Sequence, residues 1–246
     1  MVERATSFGS ETGSYEKGRP EYRSDAVAWL LEPLGDGDRA VVDIGAGTGK
    51  LTRAVRGLGG TGVTAVDPDP QMLEALREKT PSVEAVTGTA EALPLPDASA
   101  DAATLGQAWH WVDPVAASAE IGRVVRPGGV LGLIWNVRDG RTEWVRRLTA
   151  IMGGSAAEQM IGENTVRVAA PFGALEERRW EWSREMTRAE LHAMASSRSV
   201  IITSSPEEKA RIAQAMDELF DELGLVEGGT LSMPYVTAAY RAIRGS

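Results

Sequence analysis

Val41-Val42-Asp43-Ile44-Gly45-Ala46-Gly47-Thr48-Gly49-Lys50 runs from a β-branched segment straight into three glycines at alternate positions. Glycines after a strand let the backbone turn sharply and approach a ligand closely, and the helix that follows offers free N–H groups to negative charge. A phosphate-binding loop for ATP or GTP needs a glycine five positions before the glycine of its final Gly-Lys-Ser/Thr. Here Ile44 stands at that place and Leu51 replaces the hydroxyl residue. A dinucleotide fingerprint wants its third glycine at position 50, where Lys50 stands, which disfavours a nicotinamide or flavin cofactor.

Outward from this loop, short β-branched runs alternate with helical patterns from about residue 24 to 136, the signature of a parallel sheet covered by helices. Ser24 reads as an N-cap, with Val27, Leu30, Leu31 and Leu34 on one helical face. Strands are expected at Ala40 to Ile44, Gly62 to Val66, Ser82 to Val86, Asp101 to Gly106 and Val130 to Trp135. Helices are expected near Lys50 to Leu58, Pro70 to Lys79 and Pro114 to Val125, the last ended by an Arg126-Pro127-Gly128-Gly129 turn.

Beyond residue 137 the rhythm changes. Helices are expected over about 142–152, 188–197 and 206–223, and strands at 176–186 and 230–240, which pair antiparallel at one sheet edge. The organisation expected is one domain over 1–246: a core at 24–136, with cap segments at about 137–175 and 187–228. Trp180 and Trp182, alternating with Glu181, read as core and edge packing.

Composition narrows the function. The net charge of −9 repels phosphate backbones and anionic lipid surfaces, so neither nucleic acid nor membrane is expected as a partner. With no cysteine and only His110 and His192, disulfides, thiolate nucleophiles and zinc sites built on several imidazoles are excluded, and no metal is expected. No apolar run reaches the roughly 18 residues of a membrane span, and the first thirteen residues contain no apolar signal core, so a cytoplasmic location is expected. Arginine outnumbers lysine 22 to 4, the bias of a GC-rich bacterial genome. A homodimer through the cap or an edge strand is one possible assembly.

Asp43-Ile44-Gly45-Ala46-Gly47-Thr48-Gly49 resembles the first motif of the class I S-adenosylmethionine-dependent methyltransferases. A carboxylate at Asp43 suits a cofactor with a cationic amino-acid tail, where a pyrophosphate would be repelled. The resemblance gives Asp67 the ribose hydroxyls, with Pro68 and Met72 flanking the adenine. It makes Gly88 to Leu95, with Thr89, Ala90 and Glu91, the loop at the adenine edge. Thr89 departs from the aspartate of many members. Asp101 to His110 resembles the fourth-strand motif, with Gly106 and Gln107 at the cofactor, and Tyr15-x-x-x-Arg19-Pro20-x-Tyr22 resembles an element that closes over it. The fold implied is α/β: a Rossmann-like, doubly wound, mostly parallel seven-stranded sheet with one antiparallel edge strand and a helical cap.

The chemistry implied is methyl transfer from S-adenosylmethionine, which becomes S-adenosylhomocysteine, to a small molecule by in-line displacement, with positioning dominant. His110, in Gly106-Gln107-Ala108-Trp109-His110-Trp111, is either a general base or a wall of the pocket. His-Trp here resembles a small-molecule, type 11 subgroup that includes the trans-aconitate methyltransferases, which implies O-methylation of a carboxylate or a hydroxyl. Trp109, Trp111, Trp135 and Asn136 are candidates for the acceptor wall, and Arg138 for pairing with an acidic substrate or for solvent. Two other readings stay open: an NAD(P)-dependent oxidoreductase, and a non-methylating cyclase or cofactor sensor on the same fold.

Overall fold

The computed structural model describes residues 18–246. Its centre is a seven-stranded sheet built from β1 (Arg39–Ile44), β2 (Thr61–Asp67), β3 (Glu84–Thr87), β4 (Ala100–Gly106), β5 (Val125–Arg138), β6 (Glu176–Met186) and β7 (Leu231–Ile243), in the order β3-β2-β1-β4-β5-β7-β6. The first five strands are mutually parallel, and β7 runs antiparallel to both β5 and β6. The expected edge pair therefore forms, and β7, the antiparallel member, sits one place in from the edge.

Both faces of the central strands are buried, while β3 and β6 at the two edges are largely exposed, and side-chain alternation sorts residues between two layers. Val42 and Ile44, with Ala103, Leu105, Leu131, Leu133 and Trp135, meet α4 (Pro114–Val124) through Ala117, Ile121 and Val124. On the other face Val41, Ala102, Val130 and Ile134 meet α1 (Ser24–Leu31) through Val27, Leu30 and Leu31, together with Leu51 and Val55 of α2 (Lys50–Arg56).

Caps fix where the helices begin. Asp69 accepts a hydrogen bond from the Gln71 N–H ahead of α3 (Pro70–Lys79), and Asp113 accepts from Val115 and Ala116 ahead of α4. Each is followed by proline at the first helical position, whose missing N–H costs nothing there. Ser24 does not cap α1: Arg23 holds that position without a side-chain bond, and Ser24 is already helical.

Two expectations about the second half change. Arg126-Pro127-Gly128-Gly129 is not a turn before a strand but part of β5, whose register against β4 shifts between Ala100 and Ala102. Gly128 takes φ +79° there, and its N–H bonds the carbonyl of Arg244 just beyond β7. Helix α6 (Ala156–Gly162) is additional to the expected elements. It follows α5 (Glu143–Met152) and opens on a reciprocal capping box between Ser155 and Glu158. The remaining cap helices are α7 (Arg188–Ser196), the short α8 (Ser199–Ile202) and α9 (Pro206–Glu222).

The cap has its own apolar cluster, in which Val145, Leu148, Met194, Met216, Leu219 and Phe220 pack beside Met233 and Tyr235 of β7. Trp182 stacks on Tyr235 with ring centroids 4.8 Å apart, and Trp180 meets Trp29 edge-on, so both tryptophans pack as expected. Among the described residues no helix is long and apolar enough to cross a membrane.

Candidate active site

The strand order reverses between β1 and β4, so the chains leaving them part to opposite faces of the sheet. A cavity of about 520 Å³ opens at their carboxyl ends. Ile44, Gly45 and Gly47 line it from the glycine loop; Asp67, Pro68 and Met72 from the end of β2; Thr89, Ala90 and Glu91 from the loop after β3. Gly106, Gln107, His110 and Trp111 line it after β4, Asn136 and Arg138 at the end of β5, and Arg19 from the amino-terminal side. Ala46 borders an adjoining pocket of about 20 Å³ shared with Arg19, Gly45, Gly106 and Gln107. Tyr15 lies outside the described residues.

Three expected site residues turn away from the cavity. Asp43 is fully buried beneath the glycine loop, accepting from the hydroxyl of Thr52 at 2.6 Å and facing that of Thr104 at 3.4 Å. Burial pushes its carboxyl up to about 7, the Thr52 hydrogen bond works against this, and the charge of Asp67 adds to it. It anchors the loop from below. Trp109 is folded into the core by the single 3₁₀ turn Trp109–Trp111, with its Nε1–H bonded to the Arg167 carbonyl. Trp135 is wholly buried in the layer facing α4 and meets Tyr240 edge-on.

The loop is tied to β2 across the sheet. The Gly47 N–H donates to Oδ2 of Asp67 at 2.8 Å, and the Asp69 N–H donates to Oδ1 at the same distance. Each carboxylate oxygen keeps a lone pair for a second donor, the arrangement that two vicinal hydroxyls would need. Burial raises Asp67 to about 6, while these two N–H groups favour its ionised form.

The glycines make room beside it. Gly45 takes φ +67°, and a Cβ there would meet the Ala108 Cβ at 2.7 Å; Gly47 takes φ +54°, and a Cβ there would meet nothing within 4 Å. With the carboxylate of Asp67 and the apolar wall of Met72 and Pro68, this cradle fits a cofactor that carries a ribose and a flat base. Gln107, a non-glycine at φ +56°, is pinned by its N–H to the Ile134 carbonyl and by its side-chain amide to the Asn136 carbonyl. Asn136 in turn accepts from Thr237 and donates to the Glu21 carbonyl.

The far end of the cavity is cationic. Arg138 is not solvated: its Nε donates to Glu158 Oε1 at 3.0 Å, and its side chain is 4% exposed. Arg198, between α7 and α8, reaches Glu158 Oε2 at 3.3 Å and the Gly153 carbonyl at 2.6 Å, while its buried Nε has no hydrogen-bond partner among the described residues. Two buried guanidinium groups thus share one carboxylate. Burial, reinforced by Arg138, lowers Arg198 to about 10 despite Glu158. Burial also works against the charge on Glu158, but Arg138 and Arg198 outweigh it and hold the carboxyl down at about 2.

Sequence reasoning missed Glu158 and Arg198. The Ser155-x-x-Glu158 box was a readable signal for α6, yet nothing local brings Arg198 to Arg138, sixty positions earlier.

His110 also departs from its ordinary behaviour. Trp135 Nε1–H donates to its Nδ1 at 3.3 Å, and Trp111 lies against the ring with centroids 4.8 Å apart. Burial, with Arg19 nearby, lowers its pKa to about 3, so the ring is neutral across the physiological range and a poor proton acceptor.

Residues 42–133 match a family model described as a methyltransferase domain. An uncharacterized methyltransferase of Mycobacterium tuberculosis is 43% identical over 239 residues, covering 96% of this chain and 95% of that protein. The chain belongs to the class I S-adenosylmethionine-dependent methyltransferases. A malonyl-[acyl-carrier protein] O-methyltransferase of Serratia marcescens is 32% identical over 169 residues, 68% of this chain and 62% of that protein. In fold, a protein of Anaeromyxobacter dehalogenans assigned as a type II methyltransferase superposes with a TM-score of 0.69 at 22% identity, over 92% of this chain and 97% of that one.

As a methyltransferase, the chain leaves no place for the oxidoreductase reading. Lys50, at the third-glycine position of the dinucleotide fingerprint, is buried and pairs with Glu21.

Proposed function

We propose that this methyltransferase transfers a methyl group to an oxygen of a small anionic acceptor, a carboxylate or a hydroxyl on a carboxylate-bearing molecule. The observation that carries this reading is a single cavity with Asp67 and Gly47 at one end and the Arg138–Glu158–Arg198 cluster at the other.

In this reading Asp67 holds the ribose of S-adenosylmethionine, Met72 and Pro68 flank the adenine, and Thr89 to Glu91 meet its edge. Gly45, Gly106, Gln107 and Arg19 surround the amino-acid end. When bound, the cofactor supplies an electrophilic methyl group on a sulfonium. The chain's part is to hold an oxygen on the far side of that methyl, in line and near contact. Trp111 and Asn136 wall the acceptor, and the surplus positive charge of Arg138 and Arg198 favours an anion in a desolvated space. A carboxylate arrives already deprotonated, which suits a site whose histidine is a weak base. The Serratia relative named as an O-methyltransferase supports oxygen as the methylated atom.

The test is transfer of labelled methyl from S-adenosylmethionine to a panel of small carboxylic acids, each paired with its neutral amide. The expected product is methylated on oxygen, an alkali-labile ester or an alkali-stable ether, and is formed from the acids alone. Label on nitrogen or carbon, or equal transfer to the amides, would overturn the reading.

A further inference from the structure

His110 lines the cavity, and its surroundings fix which of its ring nitrogens carries the proton. The ring lines the cavity from the 3₁₀ turn, and among the described residues its hydrogen bonding is confined to Trp135, whose Nε1–H lies 3.3 Å from Nδ1. An indole N–H donates and cannot accept. Nδ1 must therefore offer a lone pair, and in a neutral imidazole the proton then resides on Nε2, which has no hydrogen-bond partner among the described residues. The opposite tautomer would set two N–H groups head to head and orphan the donor of a fully buried tryptophan.

Resting on the O-methylation reading above, we propose that Trp135 fixes His110 as an Nε2–H donor, and that this donor holds the non-attacking oxygen of the acceptor's carboxylate. The choice of oxygen follows from chemistry. A hydrogen bond to the attacking oxygen would draw density from the nucleophile, whereas a bond to its partner orients the group and leaves the attacking lone pair free. In the transfer itself a C–O bond forms as the C–S bond breaks, and no proton moves. A lone pair on Nε2 would serve nothing in this step.

The charged groups lining the same cavity are Arg19, Arg138 and Arg198 with Asp67, Glu91, Asp113 and Glu158. Arg19 is the one whose charge acts on the ring, and it opposes imidazolium in the same direction as burial. Trp135 is thus a positioning residue that acts through His110.

The chain's having only two histidines makes the test direct. Long-range proton–nitrogen NMR of the labelled full-length protein reads both ring nitrogens of each, and a His192→Gln variant assigns them. His110 is expected to show a protonated Nε2 and an unprotonated Nδ1, unchanged from one pH unit below to two above the ordinary imidazole value of about 6.5. Trp135→Phe is expected to bring up the Nδ1–H tautomer in a protein that still melts cooperatively. An Nδ1–H tautomer in the parent protein, or imidazolium forming near neutral pH, would overturn the proposal.

The functional arm uses an acceptor found by the labelled-methyl panel. His110→Gln, which keeps an N–H at the place of Nε2, is expected to stay within a few-fold of the parent, while His110→Ala raises the acceptor KM at least ten-fold. Equal loss in both, confined to kcat and shrinking at low pH, where a base in the parent would itself be protonated, would mark a base instead. The tautomer is read without acceptor or cofactor, so its failure leaves the methylation reading standing, and the reverse holds as well.

Discussion

The backbone N–H of Gly47 donates to Oδ2 of Asp67 at 2.8 Å, fastening the glycine loop after β1 to the carboxyl end of β2. One carboxylate therefore both shapes the loop and faces the cavity. Asp67→Ala is expected to weaken S-adenosylhomocysteine binding by about 1.5–3 kcal/mol, on the order of ten- to a hundred-fold. Because burial has raised Asp67 to about 6, the parent protein's affinity is also expected to fall as pH drops through that value, and the variant's to stay flat. Titrations at pH values on either side of 6 check both.

Asp43 gives a stability prediction with a defined sign. Its folded-state pKa, near 7, lies above the ordinary carboxyl value, so its favourable contribution is present at low pH and is lost as pH rises through about 7. Asp43→Asn removes the buried charge while keeping the shape. Its melting temperature relative to the parent is expected to rise steadily from acid to mildly alkaline pH. A difference independent of pH would contradict the raised pKa of Asp43.

Glu158 behaves in the opposite way. Removing it leaves Arg138 and Arg198 buried without their shared carboxylate, and breaking such a pair costs about 3–5 kcal/mol. Glu158→Ala is expected near the lower end, since the side chain is 20% exposed. With its folded pKa near 2, the contribution of Glu158 is full above the ordinary glutamate range and is lost as pH falls toward 2. Denaturant melts of parent and variant should therefore converge in acid.

Trp109 and Trp111 are two residues apart and should fail differently. Trp109 is buried in the core, so Trp109→Ala is expected to cost about 3–5 kcal/mol of stability. Trp111 lines the cavity, so Trp111→Ala should change acceptor KM with a much smaller effect on melting. Thermal melts and steady-state kinetics on the two variants separate the roles.

Much of the fold and site is legible in the sequence, and the departures have a common physical origin. The glycine loop, Asp67, Met72 and the 176–186 strand can be read because each depends on local chemistry: positive φ, a strand end, side-chain alternation. Asp43 and Trp135 are misplaced when residue type is read without strand parity. Asp43 shares the phase of Val41, which turns it toward Thr52 on α2, and Trp135 shares the phase of Leu131 and Leu133, which turns it into the core. The Arg138–Glu158–Arg198 cluster is not legible at all, because it is assembled from a strand end and two cap segments brought together only by tertiary packing.

Calorimetric titration of the purified protein with S-adenosylmethionine and S-adenosylhomocysteine, beside a reduced nicotinamide dinucleotide, probes the cofactor cradle around Asp67 without needing an acceptor. Saturable one-to-one binding of the first two is expected, weakened in Asp67→Ala, with no binding of the third. Undiminished binding in Asp67→Ala, or binding of the nicotinamide alone, would show that the cradle does not hold this cofactor.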